Sequence, residues 1–281
     1  MNGPTALNMR TTGILPLTRL PWGAHICLFY ETDQDLIDAT ASFMEAGLID
    51  NEYALWMLPD EISRDAADIA LRTTIAGFDD YTAAGAIELE NTREEYRAAA
   101  PFSFKDHIDC HVAKALSCGF DGMRGAGTAL WIADQAWETY LQFEAQIEEA
   151  LAGRPAMMLC TYKLSGTHAA ALADVAQFHQ FSIILRKGRW ELLETPALAA
   201  RCNAAPLNED GAPPTDLCRI ERLSPRERET LGEIARGASS KEAARTLGIS
   251  PRTIEFHRAN LMRKLGARNL AELLAIVHGG R

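Results

Sequence analysis

Five times between Ala24 and His179 a short apolar run gives way to a longer segment with helical spacing. AHICLFY precedes DLIDATASFMEAGLI, YALWML precedes SRDAADIALRTTIAG, AIELE precedes SFKDHIDCHVAKALSCG, TALWIA precedes AWETYLQFEAQIEEALAG, and AMMLCTY precedes THAAALADVAQFH. FSIILRKGRWELLE closes the series as a hairpin. Parallel strands need long crossovers between them, and helices supply these while covering the sheet. The alternation therefore predicts an α/β domain built on a mostly parallel sheet with helices on both faces. With 281 residues, 47% of them hydrophobic and 23% charged, the chain has material for that core and for a second domain.

After Trp190 the pattern breaks into ETPALAARCNAAPLNEDGAPPTD, with Pro196, Pro206, Pro213 and Pro214. This composition reads as a linker. The expected division is an N-terminal tail over 1–17, the α/β domain over 18–194, the linker over 195–216 and a small helical domain over 217–281. Charge divides at the same place. Residues 216–281 hold 13 Lys and Arg against 8 Asp and Glu, whereas the other 215 residues hold 15 against 30. A basic module on an acidic body points to nucleic-acid binding by the module alone.

No stretch approaches the roughly 18 apolar residues of a membrane span, and MNGPTALNMRTTGILPL lacks the apolar run of a signal peptide. A cytoplasmic location with no membrane partner is expected. Cys27, Cys110, Cys118, Cys160, Cys202 and Cys218 form no CxxC pair, which suits reduced thiols.

In the C-terminal module, LSPRERETLGEIARG opens with Ser224 as N-cap, Pro225 at the first helical position and Glu227 completing a capping box. SSKEAARTLGIS follows, with Ala243, Ala244, Leu247 and Ile249 at helical spacing and Gly248 to turn the chain. SPRTIEFHRANLMRKLGA repeats the Ser-Pro start and turns Ile254, Leu261 and Leu265 inward. Two short helices joined by a tight turn, the second basic, make a helix-turn-helix. Residues 223–277 resemble the LuxR-type DNA-binding domain along nearly their whole length, and the recognition helix is most similar to that of the FixJ group. The resemblance implies a small all-α four-helix domain that makes a homodimer on DNA through its last helix, residues 268–278. It further implies base contacts from Glu255, Phe256 and Ala259 and phosphate contacts from Ser239, Lys241, Arg252, Thr253, Arg258 and Lys264. Arginine and lysine beside the groove set register, while short or acidic side chains meet base edges.

The turn FYETDQDLID after the first strand occupies the place of a phosphate-binding loop. Such a loop needs glycines to aim backbone N–H groups at the anion and a lysine for the terminal phosphates. This turn has neither. Glu31, Asp33, Asp35 and Asp38 would repel a triphosphate, and Thr32 or Asp33 suits the N-cap of the next helix. The surrounding WGAHICLFYETDQDLIDATASFMEAGLIDNEYALWMLPDE, RGAGTALWIADQAW, and LCTYKLSG with the later FHQFSII resemble the MEDS sensory domain of DcmR-type regulators, over roughly residues 18–194. The resemblance implies a degenerate RecA- or KaiC-like fold without a functional P-loop, used to sense a small molecule, with hydrocarbon derivatives as the proposed signals.

Ligands of open α/β sheets bind at the C-terminal ends of the strands. Candidate effector-binding residues are His25, Cys27, Tyr30, Glu31, Trp131 and Tyr162, with His25 and Cys27 on one strand face and Trp137 beside Trp131. Pro59, Asp60, Glu90, Asn91 and Lys163 lie at other strand exits. His107 and His111 stand at i, i+4 with Cys110 adjacent, a spacing that can chelate a metal. Without a third ligand in sequence, a polar helix face is the preferred reading, although His25 and His179 can join spatially. Cys27 and Cys160 read as buried apolar cysteines. No cofactor, metal or haem is expected.

The leading expectation is a one-component transcriptional regulator. Its partners are an inverted-repeat operator in double-stranded DNA, a small effector and RNA polymerase. The alternatives are a response-regulator-like protein and a redox-, metal- or haem-sensing transcription factor. An enzyme is not expected, because Ser-His-Asp order, HExxH, GxGxxG after a strand and a Walker A motif are all missing.

Overall fold

The computed structural model describes residues 9–91 except 16, then 103–128, 137–165, 169–193 except 187–188, Thr195, and 223–274 except 271. Most of the expected linker lies outside the described residues.

The α/β domain is a seven-stranded sheet between two helical layers. Its strands are β3 (His25–Tyr30), β4 (Tyr53–Leu58), β5 (Ile87–Asn91), β6 (Met123–Gly127), β7 (Ala156–Lys163), β8 (Phe181–Arg186) and β9 (Arg189–Leu193). They lie in the order β5-β4-β6-β7-β3-β8-β9, all parallel except the β8–β9 hairpin at one edge. The central strands are buried along their whole length, so their sequences run apolar without alternation. One face carries α1 (Asp33–Ile49), α2 (Arg64–Thr74) and α3 (Phe78–Ala83), packing Leu36, Phe43, Leu71 and Phe78 on Ile26, Leu28, Trp56 and Leu159. The other carries α4 (Phe104–Ser117), α5 (Trp137–Leu151) and α6 (Ala169–Phe178). These place Ile108, Tyr140, Ile147 and Val175 over Cys27, Phe29, Met158, Cys160 and Tyr162.

Two expectations need correction. The fourth strand is MRGAG at Met123–Gly127 rather than TALWIA, of which 129–133 lie outside the described residues. Two glycines and an arginine look like a break in sequence, yet each fills a packing need. A Cβ on Gly127 would stand 2.9 Å from the Met57 Cβ, and one on Gly125 would stand 2.8 Å from the Met158 sulfur. Arg124 is wholly buried. Its Nε donates to Glu52 Oε2 (2.6 Å) and its Nη1 to the Phe43 carbonyl (2.6 Å), and Gly47 in α1 has no side chain to obstruct the guanidinium.

The second correction concerns residues 9–17, expected as a tail. They begin an antiparallel arm of β1 (Met9–Thr11) and β2 (Arg19–Pro21), with Ile14 and Leu17 in the core. Arg10 fastens it, donating Nε to Glu52 Oε1 at 2.7 Å, so one buried carboxylate serves two arginines.

In the C-terminal domain, α7 (Pro225–Ala235), α8 (Ser240–Leu247) and α9 (Pro251–Leu265) begin at Ser224, Ser239 and Ser250. Each serine hydroxyl accepts from the backbone N–H three residues on, and Glu227 and Glu242 complete capping boxes. Gly248 and Gly266 end α8 and α9 in the left-handed conformation, at φ 66° and 72°. Leu231, Ile234, Leu261, Leu265 and Leu273 form one small core, and Ala243, Ala244 and Ile254 another. The fourth helix is described only around 272–274, where the Asn269 side chain accepts from the Glu272 N–H (2.8 Å). The dimerisation segment expected at 268–278 lies partly outside the described residues.

Candidate functional site

The turn after β3 is a helix cap. Thr32 is the N-cap of α1 and Asp35 reaches back to its backbone N–H (2.9 Å). Asp33 pairs with Lys163 at 2.6 Å, drawing the β7 lysine onto a carboxylate. Of the two cap candidates it is Thr32 that caps α1, while Asp35 completes the capping box and Asp33 holds a lysine instead.

The effector candidates separate. His25, Cys27 and Tyr162 project from the sheet face under α5 and α6, whereas Tyr30 packs on the opposite face. Glu31 is half-buried in the turn, Trp131 lies outside the described residues, and so does the side chain of Trp137. What gathers around His25 and Tyr162 is a fully buried polar cluster with Glu144 from α5, Cys160 from β7 and His179 just after α6. It sits beneath the helices, with His25 at the start of its strand, rather than at the C-terminal strand exits.

His25 Nε2 lies 3.2 Å from the Cys160 Sγ and 3.6 Å from Glu144 Oε2, and His179 Nε2 lies 3.5 Å from the same oxygen. Tyr162 donates its hydroxyl to Glu144 Oε1 at 2.5 Å. His179 Nδ1 is 2.8 Å from the Val175 carbonyl; donating there leaves its Nε2 lone pair facing the cluster. Burial pushes both imidazoles below their ordinary range, His25 strongly, with His179 as a further cause; Glu144 partly offsets the effect on His179. Burial, and then the Glu144 carboxylate, push the Cys27, Cys160 and Tyr162 groups up. Cys160 was expected to sit among apolar groups; its contact with His25 corrects that.

Glu144 is the member of this cluster that was not among the residues singled out in the sequence. The signal was present: Tyr140, Ile147 and Leu151 mark the inward stripe of α5, and position 144 falls on it. A charged residue on an apolar face requires a partner.

A second cluster supplies what His107 and His111 lacked. Glu90, at the end of β5, pairs through Oε2 with His107 Nε2 (3.3 Å) and through Oε1 with His111 Nε2 (3.1 Å). Cys110 is exposed and stands apart from this triad. Burial alone would raise Glu90, but the two imidazoles bring it down to about 2.

On the helix-turn-helix, Arg252, Glu255, Phe256, Ala259 and Arg263 make one exposed stripe along α9, opposite Ile254, Leu261 and Leu265. Phe256 is 64% exposed on this stripe. Glu255 is held by the Ser240 hydroxyl. Ser239 spends its hydroxyl on the α8 cap, Lys241 is exposed, and Thr253 and Arg258 are half-buried. Lys264, expected on phosphate, pairs with Glu227 at 2.6 Å and so joins α9 to the start of α7. Arg263, absent from the expected contacts, lies one turn beyond Ala259 on the exposed stripe. Its spacing from Phe256 and Ala259 was the available signal.

Residues 24–180, more than half of the chain, match the family described as MEDS: MEthanogen/methylotroph, DcmR Sensory domain. The chain belongs to the MEDS family. Residues 221–277 match the bacterial regulatory proteins of the luxR family. The transcriptional regulatory protein FixJ of Bradyrhizobium diazoefficiens is 48% identical over 58 residues, which are 21% of this chain and 28% of that one. The transcriptional regulatory protein UhpA of Escherichia coli is 49% identical over 55 residues, 20% of this chain and 28% of that one. The transcriptional regulatory protein TdiR of Thauera aromatica is 31% identical over 147 residues, 48% of this MEDS chain and 60% of TdiR. The chain thus spans less than a third of the FixJ and UhpA relatives. Among solved structures, a KaiC-like protein from Pyrococcus horikoshii superposes with a TM-score of 0.44 at 15% identity, over 66% of this chain and 85% of that one. At that level the likeness carries no functional weight. No helix among the described residues is long and apolar enough to cross a membrane.

Proposed function

We propose that this MEDS chain is a one-component transcriptional regulator whose α/β domain responds to a small molecule and controls DNA binding by the helix-turn-helix. The observation that carries the reading is the exposed stripe of α9, with its basic ends and its Glu255, Phe256 and Ala259 centre, presented by a packed scaffold. Arginine at the ends neutralises phosphates, and the centre meets base edges and thymine methyl groups in the major groove. Two copies joined through residues 268–278 read an inverted repeat, since two-fold symmetric proteins match two-fold symmetric sites. A small hydrocarbon derivative is the proposed signal, RNA polymerase the proposed downstream partner and the cytoplasm the proposed location. Control requires the signal to bind one conformation more tightly than the other.

The relatives named as transcriptional regulators support this reading over an enzyme. The response-regulator alternative has less support, because a receiver domain needs a phosphorylatable Asp at the third strand's exit and Glu90 stands there, paired with two histidines.

The test is selection of bound sites from random DNA, followed by salt titration of the selected duplex. An inverted repeat is expected. Arg258→Ala and Arg263→Ala should each weaken binding to all sequences alike and lower the slope of log K against log salt by about 0.9. Lys264→Ala should change the slope less, because its ammonium already pairs with Glu227. Selection of a single half-site, or altered base preference from Arg258→Ala, would overturn the assignment.

A further inference from the structure

We propose that His25, Glu144, Cys160 and His179 form a binding site for one divalent transition-metal ion of the zinc class, buried between the sheet and the α5–α6 layer. The donors are His25 Nε2, His179 Nε2, a Glu144 carboxylate oxygen and the Cys160 sulfur.

Geometry carries the proposal. The four donor atoms all lie within 4.8 Å of one another. Zinc bonds nitrogen and oxygen at about 2.0–2.2 Å and thiolate sulfur at about 2.3 Å, so tetrahedral donors stand roughly 3.3–3.6 Å apart. The contacts here are 3.2 Å for His25 with Cys160, 3.6 Å for His25 with Glu144, and 3.5 Å for His179 with Glu144. Both Nε2 atoms therefore surround the carboxylate at coordination spacing, not at the shorter spacing of hydrogen bonds.

The polar accounting agrees. Glu144 Oε2 and His179 Nε2 are buried without a hydrogen-bond partner among the described residues. All four residues are nearly or wholly inaccessible, with His25, Glu144 and His179 at 0% exposure and Cys160 at 6%. A carboxylate taken out of water needs a compensating charge. A divalent ion meets a carboxylate and a thiolate with no net charge left over; the Cys160 thiol proton goes to solvent as the metal–sulfur bond forms. Two of the donors, His179 and Glu144, are oriented by their surroundings as metal ligands usually are. Val175 accepts from His179 Nδ1, and Tyr162 holds the second Glu144 oxygen.

The Glu90, His107 and His111 triad fits a metal less well, because it offers three donors where the other cluster offers four, and it has no sulfur among them. The ion would tie β3, β7, α5 and the end of α6 together, so metal occupancy fixes the helical layer on the sheet. This stands apart from the DNA-binding reading and is measured without DNA.

The full chain, purified without chelator, should contain about one zinc-class ion per chain by elemental mass spectrometry, or take up one equivalent of Zn(II) or Co(II) after removal. With Co(II), a sulfur-to-cobalt charge-transfer band and intense tetrahedral d–d bands are expected. Cys160→Ser should abolish the charge-transfer band, and Glu144→Gln, which keeps size and hydrogen bonding, should weaken uptake at least tenfold. Glu90→Gln should leave both unchanged. Failure of the refolded wild-type chain to bind Zn(II) or Co(II) would overturn the proposal. So would metal lost on Glu90→Gln and retained in Cys160→Ser, or a cobalt spectrum without the sulfur band.

Discussion

The helix-turn-helix and the α/β domain are made by opposite rules. Every helix start in the first is fixed by residues no more than four apart, through Ser224 with Glu227, Ser239 with Glu242 and Ser250 with Thr253. Its stripe of Arg252, Glu255, Phe256, Ala259 and Arg263 lies in the open on α9. The second assembles its polar groups from distant segments: Arg10, Glu52 and Arg124 in one place, His25, Glu144, Cys160 and His179 in another. Local interactions suffice where the site is a surface, because water solvates whatever the site does not use. A buried polar group finds no water to pair with, so its partners must come from distant parts of the fold.

The largest test of this difference is Glu52→Ala. It leaves the Arg10 and Arg124 guanidiniums near each other without their shared carboxylate, and should cost about 3–5 kcal/mol. In urea, the α/β transition should move to lower denaturant while the helix-turn-helix transition stays in place. If both moved together, the two regions would unfold as one cooperative unit rather than by separate rules.

A smaller effect belongs to Glu90. Its folded pKa of about 2 lies below its ordinary 4.5, so its contribution is present above pH 4.5 and is lost as pH falls from about 4.5 toward 2. Thermal denaturation over that range should show a steeper acid loss in the wild-type chain than in Glu90→Gln. Equal slopes would mean that the histidine pairs contribute nothing to folding.

The smallest is Ser224→Ala, which removes the side-chain half of a capping box and should cost the helix-turn-helix about 1 kcal/mol. Ser224→Asp should restore most of it. Loss of stability in the α/β domain from this substitution would show that caps at α7 reach beyond local structure.

How much was legible follows the same division. The strand-helix alternation, the hairpin at the sheet edge, the Thr32 cap and the Ser-Pro helix starts could be read because each is a short-range pattern with one dominant cause. MRGAG could not be read as a strand, since its glycines serve Met57 and Met158 on neighbouring strands and its arginine serves Glu52. Residues 9–17 looked like a tail because the carboxylate that holds Arg10 is 42 residues away. His107 and His111 displayed their pairing in sequence, but Glu90 came from another element.

The sequence by itself therefore determined two domains, their classes, the position of the second helix of the helix-turn-helix and the helix start after β3, because periodicity and capping are local energies. Only the tertiary structure decided which polar residues meet. His25 and Cys160 lie 135 positions apart, yet parallel pairing of β3 with β7 and the seating of α5 and α6 over them put their side chains in contact. Burial there removes water as an alternative partner, a requirement absent from any local pattern, so these groups meet one another.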